Sequence, residues 1–172
     1  EAPYKAIEVE DLKKYIEQAL IEMINKNQER IKFSERYKGI IDRYNSGGTD
    51  TEDYYNQLVD LIEQLKAEQE RPNLMGLTEE ELEIYDLLIK GKKLTQSEEQ
   101  KVKLASKNLY EKLVENKDEL LVVDWYKDDR TTSIVKSAIS DSLDADLPTS
   151  YDKDVFASKT NLILSLLIDK AT

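Results

Sequence analysis

Apolar residues recur at three- and four-residue intervals along most of the chain, which is the spacing of one face of an α-helix. The N-terminal part shows the pattern at Leu12, Ile16, Leu20, Met23 and Ile24. A polar run at residues 25–28 interrupts it before it resumes at Ile31, Tyr37, Ile40, Ile41 and Tyr44. The pattern predicts two helices here, or one long helix with a bend.

Turn residues and capping boxes divide the remainder into shorter helices. The paired glycines of residues 45–50 break the chain, and capping boxes at 49–52, 78–81 and 95–98 each predict a helix start. The segment RPNLMG, residues 71–76, is expected to end the helix that begins near residue 50, because Pro72 cannot donate a backbone hydrogen bond and Gly76 can adopt a turn conformation. Gly91 is a plausible C-cap for the next helix.

Two further apolar stripes, at residues 134–143 and 155–167, predict the closing helices. No strand-like alternation persists long enough to build a sheet. We predict an all-α fold, an irregular bundle of about six to seven helices in a single domain over 1–172. Its parts are an N-terminal helix or helix pair (1–45), an acidic helical hairpin (50–90) and C-terminal helices (95–172). The opening Glu-Ala-Pro suggests a piece of a longer chain.

The formal charge of −11 is unevenly distributed along the 172 residues. Residues 50–86 hold twelve acids against Lys66 and Arg71, whereas residues 90–112 hold seven lysines against three glutamates. An acidic chain is a poor independent ligand for duplex DNA, since affinity for the phosphate backbone comes from cations. The lysine segment is the candidate interaction surface, and a solvated helix face is the commoner explanation of such a run. Its candidate residues are Lys90, Lys92, Lys93, Lys101, Lys103 and Lys107.

Several kinds of chemistry are excluded by composition. The sequence contains neither His nor Cys, so Ser-His-Asp triads, Cys-His dyads, His-ligated metals and disulfides cannot form. No phosphate-binding loop or dinucleotide fingerprint occurs. The tripeptides at 99–101 and 115–117 match the Glu-x-Lys of metal-dependent nucleases, but both fall in or at the end of predicted helices. The aspartates after residue 140 do not fit a calcium loop, because Val155 stands where its bidentate Glu belongs.

The segment LLVVDWYKDD, residues 120–129, joins an apolar run to an aspartate and the one tryptophan. A catalytic Asp124 at the end of a buried strand would need neighbouring strands, which the surrounding helical pattern does not supply. We expect residues 120–123 to be a buried inter-helix segment with Trp125 packed beside it. Asp124 is then a turn residue or a capping acceptor, and the next helix begins near Asp128 or Asp129.

Spaced motifs in the second half resemble a known family. These are GLTEEELEIYDLL (76–88), LLVVDWYKDDRTTSIVKSAISDSL (120–143) and LPTSYDKDVFASKTNLIL (147–164), with RYNSGGTDTEDYYNQLVDLIEQLK (43–66) upstream. Together and in this order they resemble the C-terminal helical region of type I restriction enzyme R subunits. The residues that carry the resemblance, with expected structural roles, are Leu82, Tyr85, Asp124, Trp125, Leu147, Pro148 and Tyr151.

The resemblance implies a non-catalytic assembly domain. In the family, the R subunit is the ATP-dependent DNA translocase and endonuclease, and its nuclease and motor domains precede the matched region. The C-terminal helical domain is associated with docking that motor onto the methyltransferase and specificity subunits. We therefore expect no catalytic, cofactor-binding or metal-binding residue here, ATP and Mg in the parent subunit only, DNA contact through the parent complex, no membrane, and a cytoplasmic location. A free-standing acidic helical adaptor unrelated to restriction is the alternative.

Overall fold

The computed structural model describes residues 3–172, with side chains from residue 7 onward. Within them lie eight α-helices and no strand, which confirms the all-α prediction. The helices are α1 (Pro3–Lys26), α2 (Ile31–Asn45), α3 (Thr51–Met75), α4 (Glu79–Ile89), α5 (Gln96–Glu115), α6 (Lys117–Leu120), α7 (Asp129–Asp146) and α8 (Lys153–Ala171). Because α6 is a single turn, the number of longer helices is seven, as the apolar pattern indicates.

The chain divides into two compact units, Glu1–Glu79 and Glu80–Thr172. Their boundary lies inside the 50–90 segment that the sequence groups as one hairpin. The single-domain organisation therefore stays a prediction, and each unit is described by itself.

The first unit is a three-helix arrangement in which α1 and α2 both pack against α3. The polar run after α1 bends the chain through a 3₁₀ turn, Gln28–Arg30, whose N-cap Asn27 accepts a hydrogen bond from the Glu29 amide at 3.0 Å. The core is filled by apolar residues of the three helices: Ile16, Leu20, Met23, Phe33, Tyr37, Ile40, Tyr54, Leu58, Leu61, Ile62 and Leu65. Ile31, which the apolar pattern included, is 51% exposed, and Phe33 enters the core in α2 instead.

The start of α3 differs from the prediction, and its end lies within the predicted segment 71–76. Asp50 rather than Thr49 is its N-cap, and the Asp50 carboxylate accepts from the Asp53 amide at 2.8 Å. Pro72 does not end the helix. It lies buried inside the last turns, and the helix continues until Gly76 adopts a left-handed φ of 69°. The stop comes from Gly76, four residues or about one helical turn after Pro72, because its left-handed conformation provides a favourable C-cap.

The second unit packs α7 between α5 and α8. The predicted capping box at Thr95 and Glu98 is present at the start of α5. The unit's buried core combines residues of α4, α5 and α7 with one residue of α8 and single residues from the connections: Leu82, Ile84, Tyr85, Leu88, Val102, Ala105, Leu109, Leu113, Trp125, Val135, Ile139, Leu143, Tyr151 and Ile163.

Candidate functional site

Leu120–Asp129 is a turn built around a buried tryptophan. Trp125 is 4% exposed and begins a 3₁₀ turn that leads into α7. Its carbonyl accepts hydrogen bonds from the hydroxyls of Thr131, at 2.5 Å, and Thr132, at 3.2 Å. The tryptophan therefore anchors this connection to the start of α7, and the helix begins at Asp129 as expected.

Asp124 occupies the turn itself. Its φ of 59° makes it the one non-glycine residue in the described chain with a left-handed backbone, a conformation that costs about 1 kcal/mol for an L-residue. Its carboxylate pairs with Lys127 Nζ at 3.3 Å, and both side chains are more than half exposed. The side chain accepts no capping hydrogen bond. Asp124 is thus a solvent-exposed turn residue.

The apolar run before Asp124 is not a buried segment, and that prediction is wrong for its second half. Val122 is 37% exposed and Val123 is 91% exposed, whereas Leu120 and Leu121 are half-buried. Consecutive side chains point in different directions, so four in a row cannot all enter one core. The left-handed turn at Asp124 directs Trp125 into the core and leaves the two valines on the solvent side.

A groove of about 380 Å³ lies beside these valines. We call it the valine groove; it is lined by Leu121, Val122, Val123, Trp125, Tyr126, Leu167 and Ala171. The charges at its edge are already paired, Asp124 with Lys127 and Lys170 with Glu83, the latter at 2.9 Å. The groove therefore presents an apolar surface, and the charged side chains at its edge are neutralised by partners within the same unit.

The lysines of the candidate interaction segment do not form one surface. Lys90 and Lys93 are exposed on either side of Gly91, in the turn between α4 and α5. Lys92 is engaged within the unit: its Nζ donates to the Ser150 carbonyl at 3.1 Å and lies over the Tyr151 ring.

The lysines on α5 divide between two faces. Lys101 and Lys103 are two residues apart, which places them about 200° apart around the helix axis. Lys103 and Lys107 are four residues apart and therefore share a face. A charge run in the sequence is thus distributed in space, and the structure brings together only this last pair.

The Leu147–Tyr151 motif closes the C-terminal end of α4. Leu147 follows α7 as its C-cap, Pro148 is buried, and the Tyr151 hydroxyl donates to the Leu88 carbonyl at 2.7 Å. Burial, together with the neighbouring Tyr85 and Glu98, raises the pKa of Tyr151 to about 12. Helix C-termini leave carbonyls without partners, so this hydroxyl satisfies one of them.

Lys159 of α8 completes the same cap and was not singled out by the sequence. Its Nζ donates to the carbonyls of Leu87, at 2.7 Å, and Lys90, at 2.6 Å, although the side chain is only 6% exposed. The sequence did contain a signal for this role, since Lys159 lies in the middle of a largely apolar helix. Two residues of the family motif lie on α4 itself: Leu82 is fully buried, and Tyr85 is buried with its hydroxyl 3.4 Å from Glu99.

A buried ion network in the first unit was also missed. Arg30 is 1% exposed; it donates to Glu68 at 2.9 Å and to Glu79 at 2.6 Å, and Arg71 donates to Glu68 at 2.8 Å. Burial alone would raise the pKa of Glu68, but the hydrogen bonds from Arg71 and Arg30 outweigh it and hold that pKa below its usual range. The network joins the 3₁₀ turn, α3 and the first residue of α4, which is a structural role.

A polar groove of about 510 Å³ runs between α2 and α3. Arg36 Nη1 donates to Gln64 Oε1 at 2.9 Å, and Arg43 Nη2 donates to Gln57 Oε1 at 3.3 Å. We call it the arginine–glutamine groove; it is lined by Glu35, Arg36, Gly39, Arg43, Gln57, Asp60 and Gln64 over a floor of Ile40 and Leu61. Two exposed cations are held here by neutral amides.

Among the described residues, no three acidic side chains come close enough together to hold a metal ion. The Glu-x-Lys tripeptide at 99–101 lies within α5, and the one at 115–117 spans the junction of α5 and α6. Neither is on a strand, where the nuclease arrangement would require it. No described helix is long and apolar enough to cross a membrane.

Comparisons with known proteins point to one family. Residues 1–166 match the family model described as "Type I restriction enzyme HindI endonuclease subunit-like, C-terminal". The chain is similar to a putative type I restriction enzyme MjaIXP endonuclease subunit of Methanocaldococcus jannaschii, with 31% identity over 108 residues. That match covers 58% of this chain and 10% of the relative, so the chain spans a small part of the relative's length. No solved structure matches at a significant level.

Proposed function

Because the chain belongs to the family of C-terminal regions of type I restriction enzyme endonuclease subunits, we propose that it is a non-catalytic assembly domain. It docks the motor and nuclease of its subunit onto the methyltransferase and specificity subunits. The ATP, the magnesium and the DNA cleavage belong to other parts of that subunit, and the assembled enzyme acts on foreign DNA in the cytoplasm. An adaptor unrelated to restriction is not consistent with the family match.

One observation supports docking above all: Val123 is 91% exposed on a loop with a fixed conformation. The loop is anchored by the buried Trp125 and its hydrogen bonds to Thr131 and Thr132. The two adjacent valines continue the apolar lining of the groove, and a partner surface that covered this contiguous apolar area would gain hydrophobic free energy. With its rim charges paired internally, the valine groove suits an apolar partner surface.

The proposal is tested by removing this region from its subunit. We expect the complete subunit to co-purify with the methyltransferase–specificity core at low salt, and the subunit without residues 1–172 to lose that association. Separately expressed residues 1–172 should neither hydrolyse ATP nor cut DNA. Unchanged association of the truncated subunit, or nuclease activity of the separate region, would refute the proposed function.

A further inference from the structure

The arginine–glutamine groove carries its charges in an alternating order. On α2, Arg36 and Arg43 are seven residues apart, which is two helical turns or about 10.5 Å. On α3, Asp60 lies between the two glutamines that receive the arginines' hydrogen bonds. The antiparallel pairing of 36 with 64 and of 43 with 57 puts Asp60 opposite the midpoint between the arginines. The order from Arg36 to Arg43 is therefore positive, negative, positive, and Glu35, the residue before Arg36, adds a second acid at that end of the lining.

Both guanidinium groups are positioned but not neutralised. Each donates to the neutral amide oxygen of a glutamine, and neither forms an ion pair with any side chain from residue 7 to 172. A guanidinium has five N–H donors, so most of them remain available at each site. Arg36 is further held over the Phe33 ring, with its Cζ 4.8 Å from the centroid. Side chains fixed in this way lose little entropy on accepting a carboxylate.

Gly39 keeps the middle of the groove open. It lies in the interior of α2, where glycine is a poor helix former. A Cβ at this position would meet Arg43 Nη1 at 3.7 Å, an ordinary contact, so packing within the unit does not require a glycine. Leaving out the side chain here exposes the helix backbone beside Asp60 and gives a partner room for close approach.

We propose that this groove docks a partner helix whose exposed face carries an acidic, a basic and an acidic residue at positions i, i+3 or i+4, and i+7. The two acids pair with Arg36 and Arg43, and the central base passes over Gly39 to Asp60. Charge complementarity selects this occupant, because a helix repeats the same 10.5 Å spacing over about seven residues. The inference rests on the proposed function, since the helix is taken to belong to the methyltransferase–specificity core.

The first test is a double charge reversal in the complete subunit. Arg36→Glu with Arg43→Glu should weaken binding to the purified core by about tenfold or more, because like charges replace two desolvated pairs. The matched control is Lys32→Glu with Lys38→Glu, which makes the same charge change on the same helix outside the groove. We expect this control to stay within about threefold of wild type, as rim charges contribute little.

The two failures are distinguishable by isothermal titration calorimetry. Suppose that the wild-type subunit binds the core. If the arginine variant then binds as tightly as the lysine control, whether both match wild type or both are weakened, the groove assignment alone is overturned. If the subunit binds the core equally well with and without residues 1–172, the proposed function fails, and the groove proposal fails with it.

Asp60→Asn separates the alternating pattern from a simple anion site. The alternating pattern predicts weaker binding to the core, because the partner's central base loses its carboxylate. A site for plain acidic peptide or for nucleic acid phosphate predicts tighter binding, since a repulsive charge is removed. A labelled DNA duplex that binds the subunit more tightly after Asp60→Asn, and is released by the arginine reversals, would assign the groove to nucleic acid and overturn the proposal.

Gly39→Ala tests whether a partner approaches the helix backbone at this position, because affinity for the core would not change if the glycine mattered only within the subunit. We expect a higher melting temperature, because alanine favours the helix, together with weaker binding to the core. A higher melting temperature with unchanged affinity would show that no partner approaches the backbone at Gly39, which contradicts the proposed mode of docking.

Discussion

Val123 and Trp125 are two residues apart, yet one is 91% exposed and the other 4% exposed. The reversal takes place at Asp124, whose left-handed backbone turns the chain between them. The aspartate that most resembled an active-site carboxylate in the sequence is therefore the residue that decides which apolar side chain enters the core. Hydrophobicity alone could not predict this, since the valines and the tryptophan are all apolar.

Trp125→Ala should destabilise the protein by about 3–5 kcal/mol, because truncating a buried aromatic residue removes its transfer free energy and leaves a cavity. Val123→Ala, two residues away, should change the free energy of unfolding by less than about 0.5 kcal/mol. Urea denaturation followed by circular dichroism measures both. Equal losses for the two variants would show that the tryptophan is not the anchor of this turn.

Most of the helices were predictable because their apolar faces repeat with helical spacing, and α7 begins where the acidic residues at 128–129 indicate. Helix ends were less predictable. The segment 71–76 was expected to stop α3, and it does so at Gly76 rather than at Pro72, since a left-handed C-cap gives a better-satisfied end. The polar groups that close α4 come from distant parts of the chain. Tyr151 is 63 residues from Leu88, whose carbonyl it caps, and Lys159 is 72 residues from Leu87. No local pattern reports such long-range partners.

The ion network between elements makes a pH-dependent contribution to stability. The pKa of Glu68 is held below its usual range in the folded protein, so its contribution is present above the unfolded value of about 4.3 and is lost as pH falls through the folded value. Glu68→Gln should therefore cost about 1.5–3 kcal/mol at pH 7, because Arg30 keeps Glu79 but loses its hydrogen bond to a buried carboxylate. The difference from wild type should shrink steadily below about pH 4.

The control is Glu63→Gln, an exposed glutamate on the same helix. Its effect on the free energy of unfolding should be small at pH 7. Unfolding curves at several pH values give the comparison. A Glu68→Gln deficit that stays constant down to pH 3 would contradict the ionised network.

At the scale of the whole molecule, few side chains are of types that catalyse reactions or bind metals, and the two units differ in the surfaces they expose. The chain lacks His and Cys, and its described residues hold no metal-binding acidic cluster. Its two units instead present different surfaces: an apolar groove beside Val122 and Val123, and a groove of alternating charge beside Arg36 and Arg43. The family resemblance was available from the sequence. Both grooves required the structure, because each is assembled from residues on separate elements.

The central claim is that this region docks its subunit onto the methyltransferase–specificity core. Calorimetric titration of the core into the complete subunit carrying Val122→Asp and Val123→Asp tests it most directly. We expect affinity to fall about tenfold or more, because two charges enter an apolar contact. The control, Ile21→Asp with Leu74→Asp, changes two apolar residues that are 67% and 84% exposed in the first unit and should leave affinity near wild type. Wild-type affinity in the valine variant, with its fold intact by circular dichroism, would contradict the account.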